Sequence, residues 1–474
     1  MNTPAAYVLF GIPFHDVTFE ETVAWAVDRM KNGPPGYIAT ANVDFLMQAW
    51  ADPELQRILL EADLVLADGM PIVWSSRNFG PRLRQRVTGS DLAPKLAAAC
   101  AREGLRLYLL GGAPGVAEAA ARELKVRQPS LIISGTYSPP KADVLSMAHT
   151  DILARLKEAQ PHLLLVAFGA PKQEKFINLH VREWAVPLSV GVGGTLDFLA
   201  GAQRRAPVLV QRIGLEWVWR LATDPGRLFR RYAGNLRFYF TACRALNRQR
   251  RRGRAARPPP AAEPAPGLWQ DAVVEFPDAR SADDLAAAVR VAPEAPLRVI
   301  DLAGRRWLDS RDLGVLLTLA REARRAGRGL ALWRPLPAVD EHLRTCRLAN
   351  YLSVCRSPAE VEAQIGEQKA MRRDGVAGKD SQGGLRLWLP AELTAANIAS
   401  WRARVDNSWP SEPRALILVD AGGTRFMDSA GIGWLIAVRK RAQEEGKTFR
   451  ATGFAGAVRK VLKLARVDGF ILDP

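Results

Sequence analysis

Six short apolar runs in the first 200 residues decide most of what this chain can fold into. "YIATAN" (37–42), "DLVLADG" (63–69), "LRLYLLGG" (105–112), "LIISGTY" (131–137), "LLLVAFG" (163–169) and "PLSVGVGG" (187–194) are too short for ordinary helices and apolar at successive positions, as strands buried on both faces are. Segments of helical character, 90–103, 115–127, 150–159 and 172–184, lie between them. Strands alternating with helices predict βα units in a parallel, Rossmann-like sheet, and ligands of such sheets bind outside the carboxyl ends of the strands. The run at 163–169 leads at once into Lys172, Gln173 and Glu174, so these long polar side chains stand where the fold puts its site.

At 474 residues the chain exceeds one ordinary core, which predicts two to four domains. Its apolar and charged fractions, 48% and 24%, are those of a globular protein. No apolar run reaches the roughly 18 to 20 residues of a membrane span, and the N-terminus lacks the basic start of a secretory signal; the expectation is a cytoplasmic chain. Cys100, Cys243, Cys346 and Cys355 form no CxxC pair and the histidines are scattered, which argues against a disulfide framework or a zinc site.

The net charge of +17 is concentrated. Residues 204–257 hold fifteen arginines and no lysine against Glu216 and Asp224. Within this region "NRQRRRGRAARPPPAAEPAPG" (247–267) is rich first in arginine, then in proline and alanine, and reads as a solvated linker. After it, "VIDLAGRRWLDSRDLGVLL" (299–317) and "LVDAGGTRFMDSAGIGWLI" (418–436) align without a gap at an offset of 119, and the offset also carries Gly327 to Gly446 and Arg347 to Arg466. Two copies of one small α/β domain follow, 268–368 and 384–474.

In the N-terminal module the strand ends carry the candidate chemistry. Asp68 follows "LVLA", where its carboxylate either accepts a proton from an attacking hydroxyl or caps the helix that Met70 and Pro71 begin. Gly111 and Gly112, at the start of a helix, leave backbone N–H groups suited to a diphosphate, or serve only the turn. In "RVTGSDL" (86–92), Ser90 or Asp91 caps a helix and Arg86 stays free to meet an anion.

Together "TAN", "LADGMP", "RVTGSDL", "LLGG", "FGAPKQEKF", "VGVGGTLDFLAG", "RRAP" and "GLEWVWRL" resemble, in order and spacing over about residues 7–235, the WecG/TagA/CpsF glycosyltransferases, glycosyltransferase family 26. The resemblance implies an inverting hexosyltransferase that moves a sugar from a UDP-sugar to a polyprenyl-diphosphate-linked glycan of exopolysaccharide or related cell-surface polymers. N-acetylmannosamine, its uronic acid and glucose are the donor sugars it allows. It makes Asp68 the catalytic base, Thr40, Asn42 and Gln173 contacts around the reacting carbon, and Arg86, Gly111, Gly112 and Tyr137 contacts to the donor. The N-terminal module has no DxD motif, so no metal and no other cofactor is expected. Arg220, Arg227 and Arg230 of the helical appendage, 204–246, would then stabilise the departing diphosphate.

Along that appendage Phe229, Tyr232, Leu236, Tyr239, Phe240 and Cys243 recur at helical spacing beside Arg230, Arg237 and Arg244. A basic amphipathic helix suits an anionic membrane surface, which places the protein peripherally on the inner face of the cytoplasmic membrane. Packing on the sheet with a solvated arginine face is the alternative, and no nucleic-acid motif accompanies the charge. The catalytic domain, 1–203, is also open to homo-oligomers.

"FMDSAGIGWLI" resembles the phosphorylation loop of STAS domains of the anti-sigma-factor antagonist type, with Ser429 in the phosphorylated position. In the first copy Arg311 and Asp312 replace the Ala-Gly after the serine. For both Ser310 and Ser429 helix capping is the plain alternative. The resemblance implies a protein partner, as yet unidentified, that recruits or regulates the enzyme. A nucleotide-sugar sensor without catalysis, signalling through the STAS pair, is the second reading of the whole chain.

Overall fold

The computed structural model describes residues 4–203, 206–207, 210, 216–223, 225–255, 270–292, 295–349, 351–372, 377–379, 384–412 and 415–472. An antiparallel hairpin, β1 (Ala6–Leu9) and β2 (Ile12–His15), precedes the six predicted strands. Its turn sets Phe10 and Gly11 at φ 54° and 81°. A side chain at Gly11 would run into the Cys346 carbonyl.

The six runs form one parallel sheet: β3 (Gly36–Ala41), β4 (Leu64–Ala67), β5 (Arg106–Gly111), β6 (Ile132–Tyr137), β7 (Leu163–Ala167) and β8 (Leu188–Gly191), in the order β4-β3-β8-β7-β5-β6. Strand side chains alternate between faces. Ile38, Leu66, Leu109, Leu165 and Val190 point to one face, packed against α1 (Phe19–Asn32) and α5 (Gly89–Glu103), with α6 (Val116–Arg127) and α9 (Thr195–Leu199) on the same side. Ala39, Val65, Leu110, Leu164 and Val166 point to the other, where α2 (Val43–Ala51), α3 (Pro53–Glu61), α4 (Met70–Phe79), α7 (His149–Ala159) and α8 (Lys172–His180) lie. The continuous apolar runs of β3, β4, β5, β7 and β8 are thus explained, since both faces are covered; β6, at the edge of the sheet, is not buried as expected, its Ile132 being exposed and its other residues half-buried.

The appendage is α10 (Glu216–Thr223) and α11 (Pro225–Ala255). α11 runs through residue 255, into the stretch expected as linker from residue 247; the remainder of that stretch, 256–267, lies outside the described residues. Its last turns are held: Leu246 and Gln249 are buried, and Gln249 bonds Thr345 and His342 of the first repeat. The aromatic stripe also divides. Tyr239 packs inward, its hydroxyl 2.7 Å from Ser75 Oγ and donating to the Pro71 carbonyl at 3.2 Å, while Phe229, Leu236 and Phe240 are exposed.

Each repeat copy builds a four-stranded sheet. The first uses Val273–Glu275, Leu297–Asp301, Gly329–Trp333 and Val354–Cys355, all parallel. The second uses Leu385–Trp388, Leu416–Asp420 and Thr448–Thr452 in parallel with Ala377–Lys379 antiparallel at the edge, so this domain starts before the expected residue 384. The offset of 119 has a structural cause. Helices Ser310–Arg325 and Ser429–Glu444 correspond, Gly327 and Gly446 follow them at φ 66° and 67°, and Arg347 and Arg466 stand at 56° and 57°. Neither serine caps its helix: Asp309 accepts from the N–H groups of Arg311 and Asp312, and Asp428 from those of Ala430 and Gly431. The first copy shares one apolar core with the N-terminal module; the second has its own, against which Leu145 and Leu179 pack.

Candidate functional site

The carboxyl ends of β4, β3, β8 and β7 lie side by side, and hydrogen bonds tie them together. Asp68 stands one residue beyond β4, its N–H bonded to the Ala41 carbonyl. It does not cap α4, whose N-cap is Gly69 with no side-chain bond. Its Oδ2 instead accepts from the N–H of Gly89, the first residue of α5, at 3.4 Å. The cap of α5 is Thr88, which accepts from Asp91 N–H at 3.2 Å, and not Ser90 or Asp91. Asp68 thus meets the start of α5 and not that of α4, and its carboxylate is half-buried at this edge.

Thr40 is buried on β3 and its hydroxyl donates to the Gly191 carbonyl at 3.1 Å. A Cβ at Gly89 would lie 3.0 Å from that hydroxyl, so this glycine lets α5 approach β3 closely enough to reach Asp68. Asn42 is the N-cap of α2, its Oδ1 accepting from Phe45 N–H at 3.2 Å.

Gln173 answers for the polar run after β7. It is 2% exposed, and its Oε1 accepts from both Gly169 N–H, at 3.1 Å, and Gly193 N–H, at 3.0 Å. Its Nε2 donates to Glu174 Oε1 at 2.7 Å. Gln173 therefore clamps the loops after β7 and β8 to each other. Glu174 is fully buried, accepts also from the Tyr37 hydroxyl at 3.4 Å, and has its other oxygen without a hydrogen-bond partner. Burial raises its carboxyl to about 7, against the partial opposition of the Gln173 and Tyr37 bonds. Lys172, the first residue of α8, lies 5.3 Å from the Phe168 ring centre, and burial lowers its ammonium.

A carboxyl raised on folding holds its proton more tightly folded than unfolded. Its stabilising contribution is complete below the unfolded value of about 4.5 and disappears as pH rises through about 7. Glu174→Gln is expected to remove this dependence. Urea unfolding at pH 5 and pH 8 checks it: the wild-type advantage over the variant should shrink by roughly 3 kcal/mol between the two.

The donor candidates are more dispersed. Gly111 and Gly112 adopt φ 110° and 80°, and a Cβ on Gly111 would lie 2.7 Å from the Ala167 oxygen. The Gly112 N–H donates to that same Ala167 carbonyl, so it does not point at a ligand. α6 starts after Gly115 with no side-chain cap on its first amides. Arg86 is not free: Glu216 at the start of α10 stands 3.8 Å away, joining the appendage to the loop that contacts Asp68. Tyr137 ends the edge strand under the Arg155 guanidinium, 4.3 Å from its ring centre, and a hydrogen bond to Asp151 raises its hydroxyl. Arg230 is exposed on α11, while the side chains of Arg220 and Arg227 lie outside the described residues.

The sequence reading did not single out Thr88, Gly89, Gly191, Gly193 or Tyr37, whose backbone and hydroxyl groups knit this edge. The signal was present in "TGSD" and "GVGG", glycine next to hydroxyl and acid residues at strand ends. Among the described residues no group of three metal-ligating side chains gathers, and no helix is long and apolar enough to cross a membrane.

The sequence model described as Glycosyl transferase WecG/TagA/CpsF family matches residues 7–252, and that described as Mlab, STAS domain matches residues 378–473. The first match covers the six-stranded sheet, the strand ends that carry Asp68, Thr40 and Gln173, and the appendage through most of α11; the second covers the second repeat copy from its edge strand onward. More than half of the chain being matched by the first, this protein belongs to the WecG/TagA/CpsF glycosyltransferase family and carries a STAS domain at its C-terminal side.

Proposed function

We propose that this glycosyltransferase moves a sugar, with inversion, from a UDP-sugar to a polyprenyl-diphosphate-linked glycan at the inner face of the cytoplasmic membrane, in the assembly of exopolysaccharide or a related surface polymer. N-acetylmannosamine, its uronic acid and glucose are the candidate donor sugars. The observation that carries this reading is the Asp68 carboxylate, half-buried at the crevice edge and bonded to the loop that packs on Thr40. A carboxylate there takes the proton of an acceptor hydroxyl as that oxygen attacks the anomeric carbon, and UDP departs on the opposite side.

Departure needs positive charge. The module lacks a DxD motif, so the proposal assigns this duty to Arg220, Arg227 and Arg230, with Arg86 exchanging Glu216 for a phosphate oxygen. Membrane access is supported by α11. Phe229 and Phe240 are 64% and 55% exposed and, with Leu236, form an apolar stripe beside exposed Arg230, Arg237 and Arg244. Each such arginine adds about 1 kcal/mol of attraction to an anionic bilayer.

The test offers radiolabelled UDP-sugars, in turn, to the full chain with polyprenyl-diphosphate glycan extracted into anionic vesicles, EDTA present. Label entering the lipid phase identifies reaction and donor and shows independence from divalent metal. Transfer appearing only when metal is restored would remove the arginine assignment. UDP binding without transfer from any donor would replace this reading by the sensor.

A further inference from the structure

Both repeat copies meet the transferase with the same part of their fold. In the first, Gly314 packs on the Ala6 backbone so closely that a Cβ would overlap the Ala6 carbonyl, and Ser310 packs on Gly80 at the end of α4. In the second, the corresponding Ser429 donates its N–H to Glu54 Oε1 of α3 at 2.5 Å, and the corresponding Gly433 faces Leu145. Ser310 and Ser429 are 3% and 6% exposed. Two copies on two adjoining surfaces of one module, both bordered by α3, thus dock through equivalent residues, the first turns of the helix after Asp-Ser.

Around each contact stand polar ties that fix its register. Arg321 donates to the Ala62 carbonyl at 2.6 Å, Arg325 pairs with Asp63 at 3.0 Å, and Gln56 Nε2 donates to the Cys346 carbonyl at 3.1 Å, all on the first copy's side. On the second, Asn178 Nδ2 of α8 donates to Asp428 Oδ2 at 3.2 Å and Arg57 pairs with Glu392, while within the transferase Lys175 Nζ bridges Asp52 and Glu54 at 2.7 and 2.8 Å and so holds Glu54 at the contact. Lys175 and Asn178 lie on the helix that carries Gln173. This second contact is crowded with negative charge: burial and then the charge of Glu54 raise the Asp428 carboxyl to about 6.

We propose that the STAS pair is a clamp acting within the chain, in which the Asp-Ser face of each copy takes the transferase of the same chain as its protein partner, and docking of the second copy holds α8 and the Gln173 loops in place. An outside partner for either face, or an anion added at Ser429, must first displace the transferase, because Glu54 already occupies the helix start and a further negative group there would sit beside two carboxylates. The docking does not depend on the donor; its coupling to turnover rests on the proposed transfer reaction.

Two measurements on the full chain test it. A Cβ at Gly80 lies 3.0 Å from Ser310 Cβ, slightly inside the separation of a disulfide, and Gly80 has an extended backbone, φ 169°, open to any residue. Gly80→Cys with Ser310→Cys is expected to oxidise almost completely to an intrachain cross-link with altered mobility on a non-reducing gel. Two freely alkylated thiols after oxidation would overturn docking of the first copy. Ser429→Asp is expected to speed amide exchange over residues 426–434 at least tenfold and to lower UDP-sugar transfer severalfold, with Ser429→Ala unchanged in both. Equal exchange in the two variants would overturn docking of the second copy; faster exchange with unchanged transfer would overturn the coupling. Absence of transfer in the wild type would strike the proposed function alone, since cross-linking and exchange are read without it.

Discussion

Asp68→Asn is expected to leave UDP binding within about twofold of wild type and to lower sugar transfer by roughly 10²- to 10⁴-fold, the usual worth of a positioned general base. The substitution is nearly isosteric. The amide oxygen of Asn can still accept from Gly89 N–H, the bond that now ties Asp68 to α5, so the crevice keeps its shape. What disappears is the ability to take up a proton. Titration calorimetry with UDP and transfer of labelled sugar, measured on the same preparation, separate the two properties. Full turnover in the variant would remove Asp68 from the chemistry; loss of UDP binding together with turnover would make it a structural residue of the donor pocket.

Gln173→Ala carries the second large expectation, and of a different kind. If Gln173 only touched substrate, truncation would lower turnover and leave the fold untouched. Its amide, however, holds the Gly169 and Gly193 N–H groups and donates to Glu174. Removal strands two partly buried donors and takes a partner from a buried carboxyl, each worth about 1–3 kcal/mol. The expected result is a loss of roughly 3 kcal/mol or more in unfolding free energy together with a fall in transfer, because both loops border the strand ends that carry Asp68 and Thr40. Denaturant unfolding of the variant beside its kinetics checks this. A drop in transfer with unchanged stability would restore Gln173 to the role of a substrate contact alone.

The two residues show how far the sequence carries at this site. Asp68 at the end of "LVLA" was legible because a parallel sheet delivers strand ends to one edge, whatever the details of the loops. That it meets Gly89 and not α4 was not legible. The N-cap of α5 falls at Thr88, two residues from the closest alternative, and only coordinates distinguish such neighbours. Gln173 and Glu174 looked alike in sequence, adjacent polar residues on one helix turn. Burial and the two glycine amides made one a clamp and the other a raised carboxyl.

Arg86 and the appendage illustrate the same limit. Nothing in "RVTGSDL" announces Glu216, 130 positions away, as the group facing that arginine. The helical spacing of Phe229 through Cys243 was plain, yet the division between outward Phe229 and Phe240 and inward Tyr239 depends on Ser75 and Pro71, which α4 brings beneath the helix.

Local and periodic physics was readable from the sequence: six strands and their order of appearance, five of them buried on both faces, the helices between them, an acid at a strand end, a basic helical appendage, and a duplicated domain whose helix starts and left-handed residues recur at a fixed offset. The tertiary structure alone decided the strand order, which hydrogen bonds join the strand ends, where α11 stops being appendage and becomes a support for the first repeat, and that both Asp-Ser faces lie against the transferase. The division has one physical reason. Secondary structure answers to residues three or four positions apart, whereas the partner of a buried polar group is chosen by whichever distant segment packing brings to it.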